Sequence, residues 1–335
     1  MILKPLPPEP KLKLDSELLS LISETDTLLS EIELLTKFIS PNFFELLKLN
    51  EAIHSYSLDN NTGWNLESYY LNPETAPLVN KIIYSSDLAQ KILKDVKPSR
   101  LINTIHKELF GEEKEGGSFR NQETKSNFSL PDGAAIPELM HSLEQYLLNN
   151  TFYHPLIDAA LVHAQFELIH PFNSHNGITG RILMLLHFIW KRKLSFPVLQ
   201  TSKILRSKKV EYFDRLDDLA RNNNWNNWIK FMLHIYNEAA KFVLDYAIKF
   251  NNISGQNHFL LIEKNIATTT SLKLHELIKR KPVLTIQQII TEISSSKQTL
   301  SLVISKFLEE KIIEEISGKQ RYRVFKNKQL LNIFA

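Results

Sequence analysis

The 335-residue sequence has no cysteine, which excludes disulfide bonds, thiolate zinc sites and a cysteine nucleophile. Glycine is scarce, with 9 residues, and alternating polar and apolar runs are few, so strands are not the main element. The longest apolar run, ILMLLHFIW at 182–190, is about half of a membrane span, and four prolines interrupt the first ten residues where a signal peptide would need an apolar core. We therefore expect a cytoplasmic protein without a membrane anchor.

Apolar residues make up 43% of the chain, which is enough for sizeable cores, and many segments repeat them at helical spacing. This pattern predicts an all-α protein. The densest helical patterns cover 136–148, 154–170 and 177–193. The last two are apolar on nearly every face, which is typical of helices at the centre of a domain.

The C-terminal part of the chain differs in charge and in pattern. Net charge is only +3, but the residues from Asn257 onwards contain 13 Lys and Arg against 7 Asp and Glu. Three short helical patterns, at 271–279, 285–293 and 296–310, precede two alternating runs joined by a Gly-Lys pair. Helix, helix, helix and hairpin is the element order of a winged helix-turn-helix.

If this winged helix binds DNA, its recognition helix presents Lys297 and its wing places Lys319, Arg321 and Arg323 on DNA phosphates. The recognition helix turns acidic at its end, with two glutamates at 309–310, which argues against extensive base contacts. Contact with a protein partner, including a homodimer, is therefore an alternative role for the same fold.

A polar stretch, HPFNSHNGITGR at 170–181, separates the two most apolar helices. Amides at the start of the second helix, at 176–179, carry the positive end of its dipole and can bind phosphate. Arg181 adds a guanidinium to the same place, and His170 is placed to take a proton from a hydroxyl group. The alternative is a structural turn in which Phe172 fills the core. The combination of base, amides and cation indicates transfer of a phosphate-containing group.

This stretch resembles the signature of the Fic family, His-Pro-Phe-x-(Asp/Glu)-Gly-Asn-Gly-Arg-x-x-Arg, and keeps six of its nine specified positions. The resemblance extends to GGSFRNQ at 116–122 and to the flanking helical segments at 136–147, 154–172 and 211–233. It implies a Fic-type helical bundle with a small β-hairpin flap, and a C-terminal winged helix-turn-helix as in bacterial multidomain members. The resulting organisation is an N-terminal helical region at 1–110, a Fic core at 111–252 and the winged helix at 257–335.

The resemblance also implies an activity, adenylylation, in which AMP passes from ATP to a Ser, Thr or Tyr hydroxyl of a target protein that the sequence does not identify. On that basis His170 is the general base, Asn176 and Gly177 help to bind the phosphates, and Arg181 holds the γ-phosphate. The family's flap, which pairs with the main chain of the target, corresponds to Asn127, Phe128, Ser129 and Leu130.

Three positions depart from the signature, and each one concerns the phosphates. Ser174 replaces the carboxylate that holds Mg²⁺, which leaves only a weak candidate ligand for the ion, and Ile178 removes a cation. His175 replaces a glycine; its ring can contact phosphate, fill the phosphate space or point outwards. We predict an adenylyltransferase with weakened activity. The alternatives are a silent regulator that acts through its winged helix on DNA or a protein, and a phosphotransferase of the Doc type.

The segment SYSLDN at 55–60 resembles the inhibitory helix of many Fic proteins, (Ser/Thr)-x-x-x-Glu-(Gly/Asn). In that family the glutamate pairs with the second arginine of the signature and prevents productive binding of ATP. Here Ser55 begins the segment and Asp59, one methylene shorter, stands in place of the glutamate. The resemblance predicts a contact between Asp59 and Arg181. The alternative is a polar end to a helix, with no role in regulation.

Overall fold

Helices form most of the computed structural model, which describes residues 3–9, 11–110, 116–122, 129–149 and 153–335. This architecture confirms the all-α prediction. The strands found in the described residues are short, and all lie in the C-terminal part. The elements are α1 Ser16–Leu35, α2 Pro41–Asn60, α3 Leu66–Leu71, α4 Pro77–Ile92, α5 Pro98–Phe110, α6 Ile136–Asn149, α7 Pro155–Ile169, α8 Asn176–Trp190, α9 Thr201–Ser207, α10 Lys209–Asn222, α11 Trp225–Glu263, α12 Thr269–Arg280, β1 Val283–Thr285, α13 Ile286–Glu292, α14 Lys297–Glu309, β2 Glu314–Glu315, β3 Val324–Lys326 and α15 Lys328–Ile333.

The central pair of helices, α7 and α8, is buried on nearly every face, as their apolar sequences predict. Pro155 is the first residue of α7, where a missing amide hydrogen costs nothing. The residue after α7, His170, and the residue before α8, His175, both adopt left-handed backbone conformations. These two residues turn the chain sharply, and the loop between them lies at one end of the helix pair.

Helix α2 is the N-terminal element that reaches this loop. Ser40 caps its N-terminus and accepts a hydrogen bond from the amide of Asn42. Pro41 is the first residue of the helix, a position that favours proline. It ends at Asn60, where the left-handed Asn61 stops the helix. Helix α2 packs against α4, α8 and α9, and this packing brings its last turn to the N-terminus of α8.

The boundary expected at 252–257 lies inside a helix. Helix α11 continues through this Asn-, Ser- and Gly-containing stretch, because apolar side chains at helical spacing on both sides, including Phe250 and Leu261, remain buried. Gly255 faces open space, so its small size reflects no close packing. Neither α11 nor any other helix in the described ranges is apolar enough over a sufficient length to cross a membrane.

The C-terminal part contains the three predicted helices, α12, α13 and α14, followed by two strands. The sequence did not predict β1, which precedes α13 and completes a three-stranded antiparallel sheet in the order β1-β3-β2. The strands are shorter than the alternating runs. The left-handed backbone of Tyr322 interrupts the second run, and β3 begins only at Val324. This part contacts α2 and α3 through Asn42, which bonds to Glu276, and through the Lys326–Glu67 ion pair.

Candidate active site

The loop between α7 and α8 is closed by the side chain of Asn176. Its Oδ1 accepts from the amide of Phe172 at 2.9 Å, and its Nδ2 donates to the carbonyl of the same residue at 2.7 Å. Both groups of the carboxamide are therefore used to fold the loop. If Asn176 helps to bind phosphate, as predicted, it does so through its backbone amide and not through its side chain.

His106, on α5, contacts this loop through a hydrogen bond and a stacked ring. Its Nδ1 accepts from the amide of Gly117 at 2.9 Å, so its protonated Nε2 donates to the carbonyl of Ser174 at 3.1 Å. The ring also stacks on Phe172, with 3.7 Å between the ring centroids. Burial lowers the pKa of His106 to about 4, which keeps this tautomer neutral. Sequence analysis did not single out His106.

Arg120, in the segment 116–122, forms hydrogen bonds both to the loop and to the chain before α6. Its guanidinium donates to the carbonyls of His170 at 2.8 Å and Pro131 at 2.7 Å, and Arg120 is 2% exposed. Pro131 directly follows the predicted flap. Of that flap, Ser129 and Leu130 belong to no strand, and Asn127 and Phe128 lie outside the described residues. The predicted hairpin is therefore absent from the part of the flap that the structure describes.

His170 lines a cavity of about 250 Å³ together with Asp59, Arg181 and the first residues of α8. Burial, assisted by the positive charge of Arg120, lowers the pKa of His170 to about 4. The imidazole is therefore neutral at physiological pH, which is the form that can accept a proton. The structure thus brings together His170 and Arg181, as the sequence predicts.

The N-terminus of α8 faces the same cavity. The first three amides of the helix, at 176–178, have no carbonyl partner within the helix and can bind an anion. The amide of Thr179, which we expected to be available, already donates to the carbonyl of His175 at 3.0 Å. Gly177 allows close approach: a Cβ there would lie 2.9 Å from the Arg181 guanidinium and 3.1 Å from each Asp59 carboxylate oxygen.

The predicted contact between Asp59 and Arg181 is present. The guanidinium of Arg181 donates to Asp59 Oδ1 at 2.8 Å, to the Ser55 hydroxyl at 2.9 Å and to the Ser55 carbonyl at 3.0 Å. Arg181 is 2% exposed, so the ion pair is shielded from water on the arginine side. The Asp59 carboxylate also lies close to Gly177, at the positive end of α8.

Glu167 is a further carboxyl group in the cavity lining, and sequence analysis missed it. It lies in the last turn of α7, three residues before His170, and both side chains line the cavity. Its Oε1 is buried without a hydrogen-bond partner. Burial raises the pKa of Glu167 to about 8, although Arg181 opposes the shift, so the carboxyl is mostly protonated at neutral pH.

These groups do not suit a tightly held Mg²⁺. The two carboxyl groups in the lining are Asp59, which pairs with Arg181, and Glu167, which is mostly protonated. Ser174 offers only a neutral hydroxyl. Within the ranges that the structure describes, no three His, Cys, Asp or Glu side chains converge on a possible metal position.

The other two departures from the signature occupy different places. The ring of His175 lines the cavity and packs edge-on against Phe110, with centroids 5.2 Å apart, so it occupies space beside the α8 amides. Ile178 is fully buried in the core and does not line the cavity. The cation that the signature has at this position is therefore replaced by apolar packing.

The residues proposed for DNA contact lie outside this cavity, in the C-terminal part. Lys319 and Arg321 are exposed between β2 and β3, and Lys297 is exposed at the first position of α14. Arg323 is half-buried, and its guanidinium stacks over the ring of Phe325, 4.8 Å from the centroid. The structure therefore leaves Lys297, Lys319 and Arg321 more accessible than Arg323.

Comparison with known sequences shows what the chain resembles. Residues 97–188 match the family model described as Fic/DOC family. The chain is 30% identical over 175 residues to "Protein adenylyltransferase Fic" of Aedes aegypti, and 31% identical over 195 residues to the protein of that name in Drosophila melanogaster. These alignments cover 50% and 56% of this chain, but only 32% and 35% of the relatives, about a third of their length.

Among solved structures, a Fic family protein from Desulfovibrio desulfuricans G20 has a similar fold. The superposition has a TM-score of 0.62 and covers 96% of this chain and 98% of the other, at 19% sequence identity. Fic-1 from C. elegans aligns with a TM-score of 0.50 at 16% identity, over 67% of this chain and 71% of that one. At these identities the likeness concerns the fold alone.

Proposed function

We propose that this chain is a protein adenylyltransferase with weakened activity, because residues 97–188 match the model of the Fic/DOC family. It transfers AMP from ATP to a Ser, Thr or Tyr hydroxyl of a target protein. The names of its relatives support this proposal. The observation that carries it is the neutral imidazole of His170, which lines one cavity together with the α8 N-terminus and Arg181.

In the proposed reaction, the amides at 176–178 bind phosphate oxygens of ATP and Arg181 neutralises the terminal phosphate. The target hydroxyl oxygen forms a bond to the α-phosphorus while the bond from that phosphorus to the bridging oxygen breaks. His170 takes the hydroxyl proton, and pyrophosphate leaves. In this form of the protein Asp59 holds Arg181, so the triphosphate must displace the last turn of α2 before it can bind.

The weakening follows from two of the replaced positions. Ile178 supplies no cation, and each electrostatic contact to developing charge is worth about 3 to 4 kcal/mol in a barrier. Ser174 supplies no negative charge for Mg²⁺, and the residues that line the cavity do not suit the ion. We therefore expect transfer that is slow compared with a protein that keeps the whole signature.

We expect His170→Ala to lower AMP transfer about 100-fold or more, because the variant loses the neutral imidazole that takes the hydroxyl proton in the proposed reaction. The measurement is incorporation of label from α-labelled ATP into the chain itself and into lysate proteins. His141→Ala, which removes an exposed imidazole on α6, is the matched control and should leave incorporation unchanged. Undiminished labelling by the His170 variant would contradict the proposal.

A second candidate function is regulation through the C-terminal part, which we propose is a winged helix-turn-helix. The exposed cations between β2 and β3 favour it, because a basic wing can contact DNA phosphates. In this role the Fic domain is catalytically silent, and the winged helix binds DNA or a protein partner, including a second copy of this chain.

The double variant Lys319→Gln/Arg321→Gln should weaken DNA binding about tenfold and reduce the salt slope of the affinity by about 2, because two phosphate contacts are lost. Fluorescence anisotropy of a labelled duplex at two salt concentrations measures both effects. Lys311→Gln, an exposed lysine outside the wing, serves as the control. If the wild-type chain binds no duplex but forms a dimer by light scattering, the protein-contact alternative is favoured.

A further inference from the structure

Lys209, the first residue of α10, lines the same cavity as His170 and Arg181. Its Nζ donates to the carbonyl of Leu58 at 2.6 Å and to Asn61 Oδ1 at 3.1 Å. Leu58 belongs to the last turn of α2, and Asn61 is the residue that ends this helix. The ammonium group is therefore held by the chain segment that also carries Asp59.

The two long cationic side chains in the cavity lining, Arg181 and Lys209, have different kinds of partner. Arg181 contacts the negatively charged Asp59, whereas both acceptors of Lys209 are uncharged oxygens. A hydrogen bond between an ammonium group and a neutral carbonyl leaves the positive charge uncompensated, while a phosphate oxygen would compensate it. Lys209 is half-buried at the cavity, so its charge acts on whatever anion enters.

We propose that Lys209 is the second cation of the phosphate site and replaces the positive charge that Ile178 cannot supply. This inference rests on the proposed function, because it assumes that a nucleoside triphosphate binds in the cavity. Displacement of the last turn of α2 frees Arg181 and Lys209 together, since the same turn holds both. Nucleotide binding and release of α2 are therefore coupled through two cations rather than one.

The test is a calorimetric titration of ATP into the full chain carrying Asp59→Ala, with and without a second change at Lys209. Lys209→Met keeps most of the side-chain stem but removes the charge, and we expect it to weaken ATP binding about tenfold. Lys209→Arg should restore most of the affinity. The matched control is Lys208→Met, because the neighbouring Lys208 pairs with Glu238 at 2.7 Å and does not line this cavity.

A second titration separates charge from structure. Inorganic tripolyphosphate should show the same loss as ATP, and adenosine, which has no phosphate, should bind both forms equally. An ATP dissociation constant that Lys209→Met leaves unchanged would overturn the inference alone. The same holds for a loss that adenosine shares, because the lysine would then act on the fold. If the Asp59→Ala chain binds neither ATP nor tripolyphosphate, the proposed function fails, and the inference fails with it.

Discussion

Replacement of Asp59 by alanine should increase ATP affinity about tenfold or more and raise AMP transfer accordingly. The Asp59 carboxylate contacts Arg181 at 2.8 Å and lies over Gly177 at the positive end of α8. A phosphate that enters this place meets a negative charge and an arginine that is already paired. Alanine removes the charge and leaves the Arg181 guanidinium available to the triphosphate.

Calorimetric titration of ATP and incorporation of α-labelled AMP measure the two effects. Asp87→Ala is the matched control, because Asp87 also holds α2, through Lys48 at 3.1 Å, but lies outside the cavity lining. Asp59→Glu keeps the charge and should bind ATP as weakly as the wild-type chain. If Asp59→Ala and Asp87→Ala change affinity equally, α2 acts through its general stability and not through the carboxylate.

Most helices could be predicted from the sequence, because their apolar spacing and capping residues are local features. The left-handed turns at His170 and His175 bound the loop where the sequence predicts an interruption between helices. The continuation of α11 through 252–257 could not be predicted from composition, since burial of Phe250 and Leu261 outweighs a stretch rich in Asn and Gly. The strand β1 has three residues, too few to show an alternating pattern.

The site is a different case, because its contacts join residues that are distant in sequence. The pairing of Arg181 with Asp59 followed from a resemblance, not from any local pattern. Lys209 and His106 were missed, because nothing near them in the sequence shows that they meet Leu58 and Ser174. Glu167 could have been found, since it lies one helical turn before His170.

Glu167→Gln should stabilise the protein, and the gain should grow with pH. Burial raises the pKa of Glu167 from an ordinary value of 4.5 to about 8, so the folded chain binds a proton that the unfolded chain releases. The free energy of unfolding therefore falls as pH rises from about 4.5 towards 8. Glutamine has no proton to lose, so its advantage over glutamate should increase by on the order of 3 kcal/mol between about pH 5 and pH 8.

Urea unfolding of both forms at several pH values measures this difference. Glu238→Gln is the matched control, because its carboxylate is solvent-accessible and pairs with Lys208. A constant difference between the Glu167 forms across this range would show that the carboxyl ionises in the folded protein as easily as in water. It would then be negatively charged at neutral pH, and the cavity would repel a triphosphate even after Asp59 is removed. A growing difference means that Glu167 keeps its proton at neutral pH. Arg181 and Lys209 then face only one carboxylate in the lining, that of Asp59, and the proposed phosphate site stays positive.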